Sequence, residues 1–482
     1  VAKQAGVSLK QPLLDDKGIP PQLFLSPNSS LVSTALRYAM VGAAQLIPSV
    51  AVALGMNPPE FMFWPLYAAG GMGQREEQGE IQNFAIPGVE ARHLNSVANV
   101  HDVVDDVLSG MEGKGSMLAG VPYARQILQG GNSARHGQTQ LDGAIEQKPD
   151  MVMLWAGSND ALAGALKGEV NDSTLTPMED RKWNITTKKF PWSKPREVQT
   201  REVIPGFEST MIGPKGLVTR LLNETDAEVM MMNIPDVTVI PHLFPLGQKV
   251  GPLPFRMMLP GGADVTEKIE NWHLPLTVKG EGKDGRPIFP AGSNVGLATI
   301  LKKLTHYYKV KTEADMDQAL MHMSRNAGVF TEDDVLDPDE VQKIQSRVRE
   351  YNALLSDIAS KNDRVHLVDI NGMLNLASKE GLELRGEGAP VTITTEFTGT
   401  TDERGFSGIF SFDGVHPSDI GQALIANQVL DKAREVWADN PRFEALVNAA
   451  PVDEKAVLQK DPHFDPNNRL LLDSYVSERL AF

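Results

Sequence analysis

Four apolar runs recur along the chain, each closed by turn residues. Residues 81–86 end in Pro87-Gly88, and Met151-Val152-Met153-Leu154-Trp155-Ala156 ends in Gly157-Ser158-Asn159-Asp160. Residues 228–234 end in Pro235-Asp236, and residues 365–370 end in Asn371-Gly372. None alternates with period two, so each reads as a strand covered on both faces, the pattern of a parallel sheet. Helical patterns lie between them. Asp337-Pro338-Asp339-Glu340 opens one, with Asp as cap, Pro in the first helical position and Glu reaching back. Val341, Ile344, Val348, Tyr351, Leu355 and Ile358 then recur at three- and four-residue steps as one apolar stripe. A second helix is predicted from Ser418 to Val436. Strands alternating with helices predict a three-layer α/β domain.

Three stretches break the alternation. Residues 161–205 are polar and carry Pro, Trp183 and Trp192; residues 241–335 are rich in Pro, Gly and Met; residues 437–482 trail the last helix. Long segments without a core pattern of their own read as covers or decoration. The expected organisation is a domain over 1–435 with insertions at about 161–205 and 241–335, the second a candidate cap, and a C-terminal extension over 436–482.

Composition narrows the function classes. Of the 482 residues 41% are apolar and 22% charged, as in globular proteins. A net charge of −16 without a basic run excludes nucleic acid as an expected partner. The chain has no cysteine, which removes disulfides, thiolate metal sites and a Cys nucleophile. The uncharged residues 38–56 contain Gln45, Pro48 and Ser49 and are less apolar than the roughly 20-residue span a membrane helix needs, so no integral span is expected. The histidines outside the loop described next show no metal-ligand spacing, His366 reads as a strand residue, and Met230-Met231-Met232 reads as core packing.

The candidate chemistry sits in turns after strands, where sites in parallel α/β folds belong. In Gly157-Ser158-Asn159-Asp160 the Gly lets the chain turn sharply and the Asn amide can donate to a developing oxyanion. In Phe410-Ser411-Phe412-Asp413-Gly414-Val415-His416-Pro417, Asp413 and His416 are spaced to meet on a turn, where the carboxylate can fix the imidazole tautomer. Gly88 ends the first run with an N–H that could face the same cleft. Each turn alone is an ordinary loop.

Taken in order, Gly, then Gly-x-Asn-Asp, then Asp-x-x-His, they resemble blocks two, three and five of the SGNH (GDSL-type) serine hydrolases. Residues 10–23, residues 232–241 (Met-Asn-Ile-Pro-Asp-Val-Thr-Val-Ile-Pro) and residues 408–427 look like the long bacterial members of that family. The resemblance covers about residues 1–435. It implies a flavodoxin-like three-layer α/β/α sheet and a carboxyl-ester hydrolase acting through an acyl-enzyme without metal or organic cofactor. His416 would be the general base and acid, Asp413 would orient it, and Asn159 with the N–H of Gly88 would form the oxyanion hole. It also implies export to the periplasm, outer membrane or medium, and a small-molecule or lipid ester as substrate. The Leu, Met, Phe and Pro residues between His242 and Met258 point to an apolar acyl group.

The departure is the nucleophile. The family carries it in a Gly-Asp-Ser turn after the first strand, and no such motif precedes Gly88. The chain begins at Val1 rather than Met, so the first strand and its Ser are expected upstream of residue 1. Three serines inside the chain mimic the motif. Asn171-Asp172-Ser173 lies after block three, and Gly131-Asn132-Ser133, beside Arg135 and His136, lacks the Gly of a nucleophile elbow. Ser474, after the apolar run Leu470-Leu471-Leu472-Asp473, stands where a circular permutation would put the first strand, or else within a terminal helix. Two other outcomes remain open at this stage. One is a non-catalytic binding or scaffold protein on the same fold, and the other is an acyltransferase with the same machinery.

Overall fold

The computed structural model describes residues 4–6, 81–86, 88–98, 102, 127–128, 137–187, 198–259, 262–275, 280–281, 287–325, 329–399, 401–402, 405–461 and 470–473. Residues 10–23 and 38–56, Ser133, Arg135, His136, Trp192 and Ser474 lie outside them.

Three of the four apolar runs form one parallel sheet. β1 (Met151–Leu154) pairs with β2 (Glu228–Met232) from Met151↔Glu228 to Leu154↔Met231. β3 (Val365–Val368) flanks β2 on its other side, from Val365↔Val229 to Val368↔Met232. β2 is therefore central, and its Val229, Met230 and Met231 are fully buried, as an unalternating apolar run requires. Glu228 opens the strand and meets His366 of β3 at 2.7 Å, so the one charge in the run is partnered.

Helices flank the sheet. α1 (Ser158–Lys167) follows β1, and α2 (Pro338–Lys361) connects β2's side of the chain to β3. Asp337 caps α2 by accepting from the Glu340 N–H at 2.8 Å, while Glu340 receives the Asp337 N–H at 3.0 Å. The stripe Ile344, Val348, Tyr351, Leu355 and Ile358 is buried on the sheet side. α3 (Ile370–Lys379) starts directly after β3, with Asp369 accepting from Gly372 N–H. Asn371-Gly372 thus lies in a helical turn, not in the turn closing β3. α4 (Asp419–Trp437) begins at Ser418, whose hydroxyl caps Gly421, and packs along β3.

Residues 81–86 are not a strand. The Asn83 side chain takes the Ala85 N–H at 3.0 Å, and the Phe84 carbonyl receives the Gln140 side chain at 2.6 Å. Two backbone groups that a ladder could use are thus taken by side chains, one from Asn83 nearby and one from Gln140, distant in sequence.

The two insertions are also more ordered than their composition implies. Within 161–205, Arg181–Thr187 and Val198–Ile204 form an antiparallel hairpin. Residues 241–335 build a second core containing Phe244, Leu253, Phe255, Met257, Trp272, Ile300, Met323 and Phe330, joined by Phe397. Its sheet is assembled from Leu243–Pro245, Asn294–Gly296 and Val335–Leu336, each too short to leave a periodic signature. Phe244, Leu246, Val250, Leu253, Phe255 and Met257, which follow His242, are buried in this core.

The C-terminal residues are bound to the domain as well. Trp437 stacks on Phe443 at 4.0 Å, Asn427 receives Val452 N–H at 2.7 Å, and Arg442 reaches Asp150 at 2.7 Å. Leu470–Asp473 is a strand, not part of a helix, and it pairs in parallel with Phe255–Met258 of the second core. It does not take the place beside β1 that a permuted first strand would occupy. Among the described residues no helix is long and apolar enough to cross a membrane.

Candidate active site

The turn after β1 starts with Gly157 at φ +120°, a backbone conformation that disfavours side chains. A Cβ there would come within 2.4 Å of Ile234 Cδ1 and 2.9 Å of Phe207. Only Gly lets α1 start this close to the segment leaving β2. That start places Asn159 and Asp160 in the first turn of α1, and both reach across to residues 88–91. Asn159 Nδ2 donates to the Val89 carbonyl at 2.8 Å, one residue beyond Gly88, which itself has φ +78°. Asp160 Oδ2 accepts the Ala91 N–H at 2.8 Å.

Asp160 is buried, and its pKa is pushed up to about 7. Desolvation is the larger cause and the nearby Glu90 carboxylate adds to it; hydrogen bonds from Ala91 and Thr176 and the charge of Arg92 oppose them. Glu90 is held by Arg92 at 2.8 Å and its N–H donates to His93 Nδ1 at 2.9 Å. The 88–93 turn is therefore fastened to α1 by two consecutive side chains and braced internally.

The other half of the site is the loop before α4. Asp413 Oδ1 accepts from the Ser411 hydroxyl at 2.8 Å and from the N–H groups of Val415 and His416, each at 2.9 Å. Its Oδ2 lies 2.7 Å from His416 Nδ1. Burial works against ionisation of Asp413, but His416 and the N–H donors outweigh it and bring the pKa down to about 2. The hydrogen bond to Asp413 in turn raises the His416 pKa, with burial opposing and the carboxylate charge assisting. A carboxylate can only accept from Nδ1, so Nδ1 carries the proton and Nε2 is the nitrogen left to exchange one. The imidazole is 64% exposed, open to an incoming reactant.

Both halves are tied to the segment that leaves the carboxyl end of β2. Ile234 fills the space at Gly157, and His242 Nδ1 lies 3.0 Å from the Asp413 carbonyl. That segment is rigidly held. Asn352 accepts from Ile234 N–H and donates to Ile234 C=O, both at 2.8 Å, while Asn233 links to Asp369 at 2.7 Å and to Asn371 N–H at 2.8 Å. The structure thus joins Asn159 with Val89, the residue after Gly88, and Asp413 with His416. No hydrogen bond among the described residues connects the two pairs directly.

His242 and Asp160 were not singled out from sequence as site residues. Asp160 was visible as the last member of Gly157-Ser158-Asn159-Asp160; His242 carries no local signal. Ser173 is a turn residue, its N–H received by Asn171 at 2.8 Å. Among the described residues no hydroxyl is hydrogen-bonded to His416 Nε2, and no three His, Asp or Glu side chains group as a metal site.

No protein-family model, no curated protein and no solved structure matches the chain.

Proposed function

We propose that the chain carries the acid–base and oxyanion parts of a carboxyl-ester hydrolase of the SGNH type, on a flavodoxin-like α/β/α sheet. The observation that carries the reading is the Asp413–His416 pair, whose tautomer is fixed at 2.7 Å, on the same framework as a Gly88–Asn159 donor turn. His416 Nε2 takes the proton of a serine hydroxyl as that oxygen attacks the ester carbonyl. The carbonyl electron pair moves onto oxygen, where Asn159 Nδ2–H and the Gly88 N–H receive it. Collapse expels the alcohol, which takes the proton from His416. Water then repeats both steps, releasing the acid and restoring the serine.

In this reading the serine is borne on a strand against the open edge of β1. Among the described residues β1 has a neighbour on one side only, and Met153 is 43% exposed in a run that reads as covered on both faces. Labelling with an active-site fluorophosphonate, with peptide mapping, tests this on the chain alone and on a form extended upstream of Val1. Labelling of the extended form at an upstream serine, with turnover of small and lipid esters, is the expected result. Absence of label in both forms would overturn it in favour of a binding protein.

A further inference from the structure

We infer that His242 is a positioning residue for the His416–Asp413 pair: its Nδ1–H holds the Asp413 carbonyl and so sets the orientation of the 413–414 peptide. The inference rests on the proposed ester hydrolysis only for its kinetic readout.

The turn at 411–416 satisfies most of its own backbone. Gly414 N–H donates to Ser411 C=O at 2.9 Å, and Ser411 N–H to His416 C=O at 2.8 Å. The Asp413 carboxylate gathers the Val415 and His416 N–H groups. The Asp413 carbonyl points out of the turn instead, and its partner is His242 Nδ1 at 3.0 Å, from 171 positions away in sequence. A carbonyl oxygen only accepts, so Nδ1 must bear the proton. His242 is buried, and burial disfavours its cation, so the ring is the neutral Nδ1–H tautomer.

The backbone of His242 is held on both sides. Leu297 N–H donates to the His242 carbonyl at 2.9 Å, and the next residue, Leu243, pairs with Gly296. A Cβ on Gly296 would lie 3.3 Å from His242 Nε2, so the ring lies close over a position without a side chain. On the side of the Asp413 turn, a Cβ on Gly414 would come within 2.7 Å of the His242 backbone nitrogen. His242 is thus wedged between the second core and the Asp413 turn. Among the described residues the Asp413 carboxylate bears on both His242 and His416. Rotating the 413–414 peptide would swing that carboxylate away from His416 Nδ1. Misplacement by about 1 Å can cost on the order of 10² in rate.

The test is NMR titration of His416 in the full chain, native and with His242→Leu or His242→Asn. His242→Leu should lower the His416 pKa by about half a unit or more, and His242→Asn, whose amide can donate to the same carbonyl, should restore most of it. An unchanged His416 titration in folded His242→Leu would overturn the inference. A second measurement needs no variant: ¹⁵N shifts of His242 in the native chain should report a protonated Nδ1 and a bare Nε2, and the opposite tautomer would overturn it too. In the serine-bearing form the same substitution should lower kcat about tenfold or more with KM little changed. A shifted titration without ester turnover in the native protein would leave His242's role intact and remove the hydrolase reading alone.

Discussion

The side-chain amide of Asn159 donates to the Val89 carbonyl at 2.8 Å across 70 positions of sequence, so the two turns assigned to the oxyanion hole are one unit. The amide has two N–H bonds, and this contact uses one of them. The bond to Val89 fixes the plane of the amide and leaves the second N–H to donate elsewhere. Fixed donors need no reorganisation when charge develops, which is why such groups matter in catalysis.

Replacing Asn159 with Ala should therefore lower turnover on an ester by about 10²–10³ with little change in KM. Asn159→Asp should be worse, since a carboxylate would face both the Val89 carbonyl and the oxyanion. Steady-state kinetics on the serine-bearing form, with circular dichroism to confirm folding, checks both.

The Asp413–His416 pair sets a pH dependence whose sign follows from the directions in which the two groups are moved. In the proposed hydrolysis His416 takes a proton only when Nε2 is free, and its pKa is raised above the ordinary 6.5. Rate should climb with pH through a midpoint above that value. Asp413→Asn should move the midpoint down and cost about 10⁴ in turnover, because the imidazole loses its enforced tautomer. For stability, the His416 contribution is fully present below its unfolded pKa and is lost as pH rises through the raised folded value. The Asp413 contribution is present above its unfolded value near 3.8 and is lost as pH falls toward about 2. Denaturation of native protein and Asp413→Asn across pH should differ most between these two limits.

Asp160 carries the sign of His416, opposite to that of Asp413. Its folded pKa, about 7, lies above its unfolded value near 3.8, so the folded state binds the extra proton. Stability should fall as pH rises from about 4 to about 7, by at most about 1.4 kcal/mol for each pH step of one within that window. Asp160→Asn keeps an oxygen for the Ala91 N–H and removes the charge, so its stability should vary less over that range. Chemical denaturation at acid and neutral pH checks this; an equal slope in both proteins would contradict it.

How legible the molecule was in its sequence depended on how local each signal was. β1, β2 and β3 announced themselves as unbroken apolar runs, and α2 through Asp337, Glu340 and its stripe, because burial and capping act over a few residues. The turns holding Asn159 and the Asp413–His416 pair carry no such local signal, each alone being an ordinary loop; only their order along the chain, through its resemblance to a family pattern, picks them out. Residues 81–86 misled because Asn83 and Gln140 divert backbone groups that an apolar run would otherwise give to a ladder. The core around Leu253 and Trp272 was hidden because strands of only a few residues collect it from distant positions. His242 was hidden more completely, since its partner lies 171 positions away and nothing beside it in the chain marks it.

Gly414 is where the local and the distant constraints coincide. Its φ of +71° is one that residues with a Cβ adopt at a cost of about 1–2 kcal/mol. An added methyl would also stand 2.7 Å from Phe397 Cε1 and from the His242 backbone nitrogen. The ring can yield, but the His242 backbone is held by Leu297 and by the Leu243–Gly296 pairing, so the turn itself must move. Gly414→Ala should therefore destabilise the protein by about 2–4 kcal/mol, strain and overpacking together. It should also lower the His416 pKa, because the Asp413 carboxylate moves with the turn. Thermal denaturation and the His416 titration, read on the same sample, separate the two effects. A variant of native stability with an unchanged titration would mean that the turn does not depend on its fit against His242.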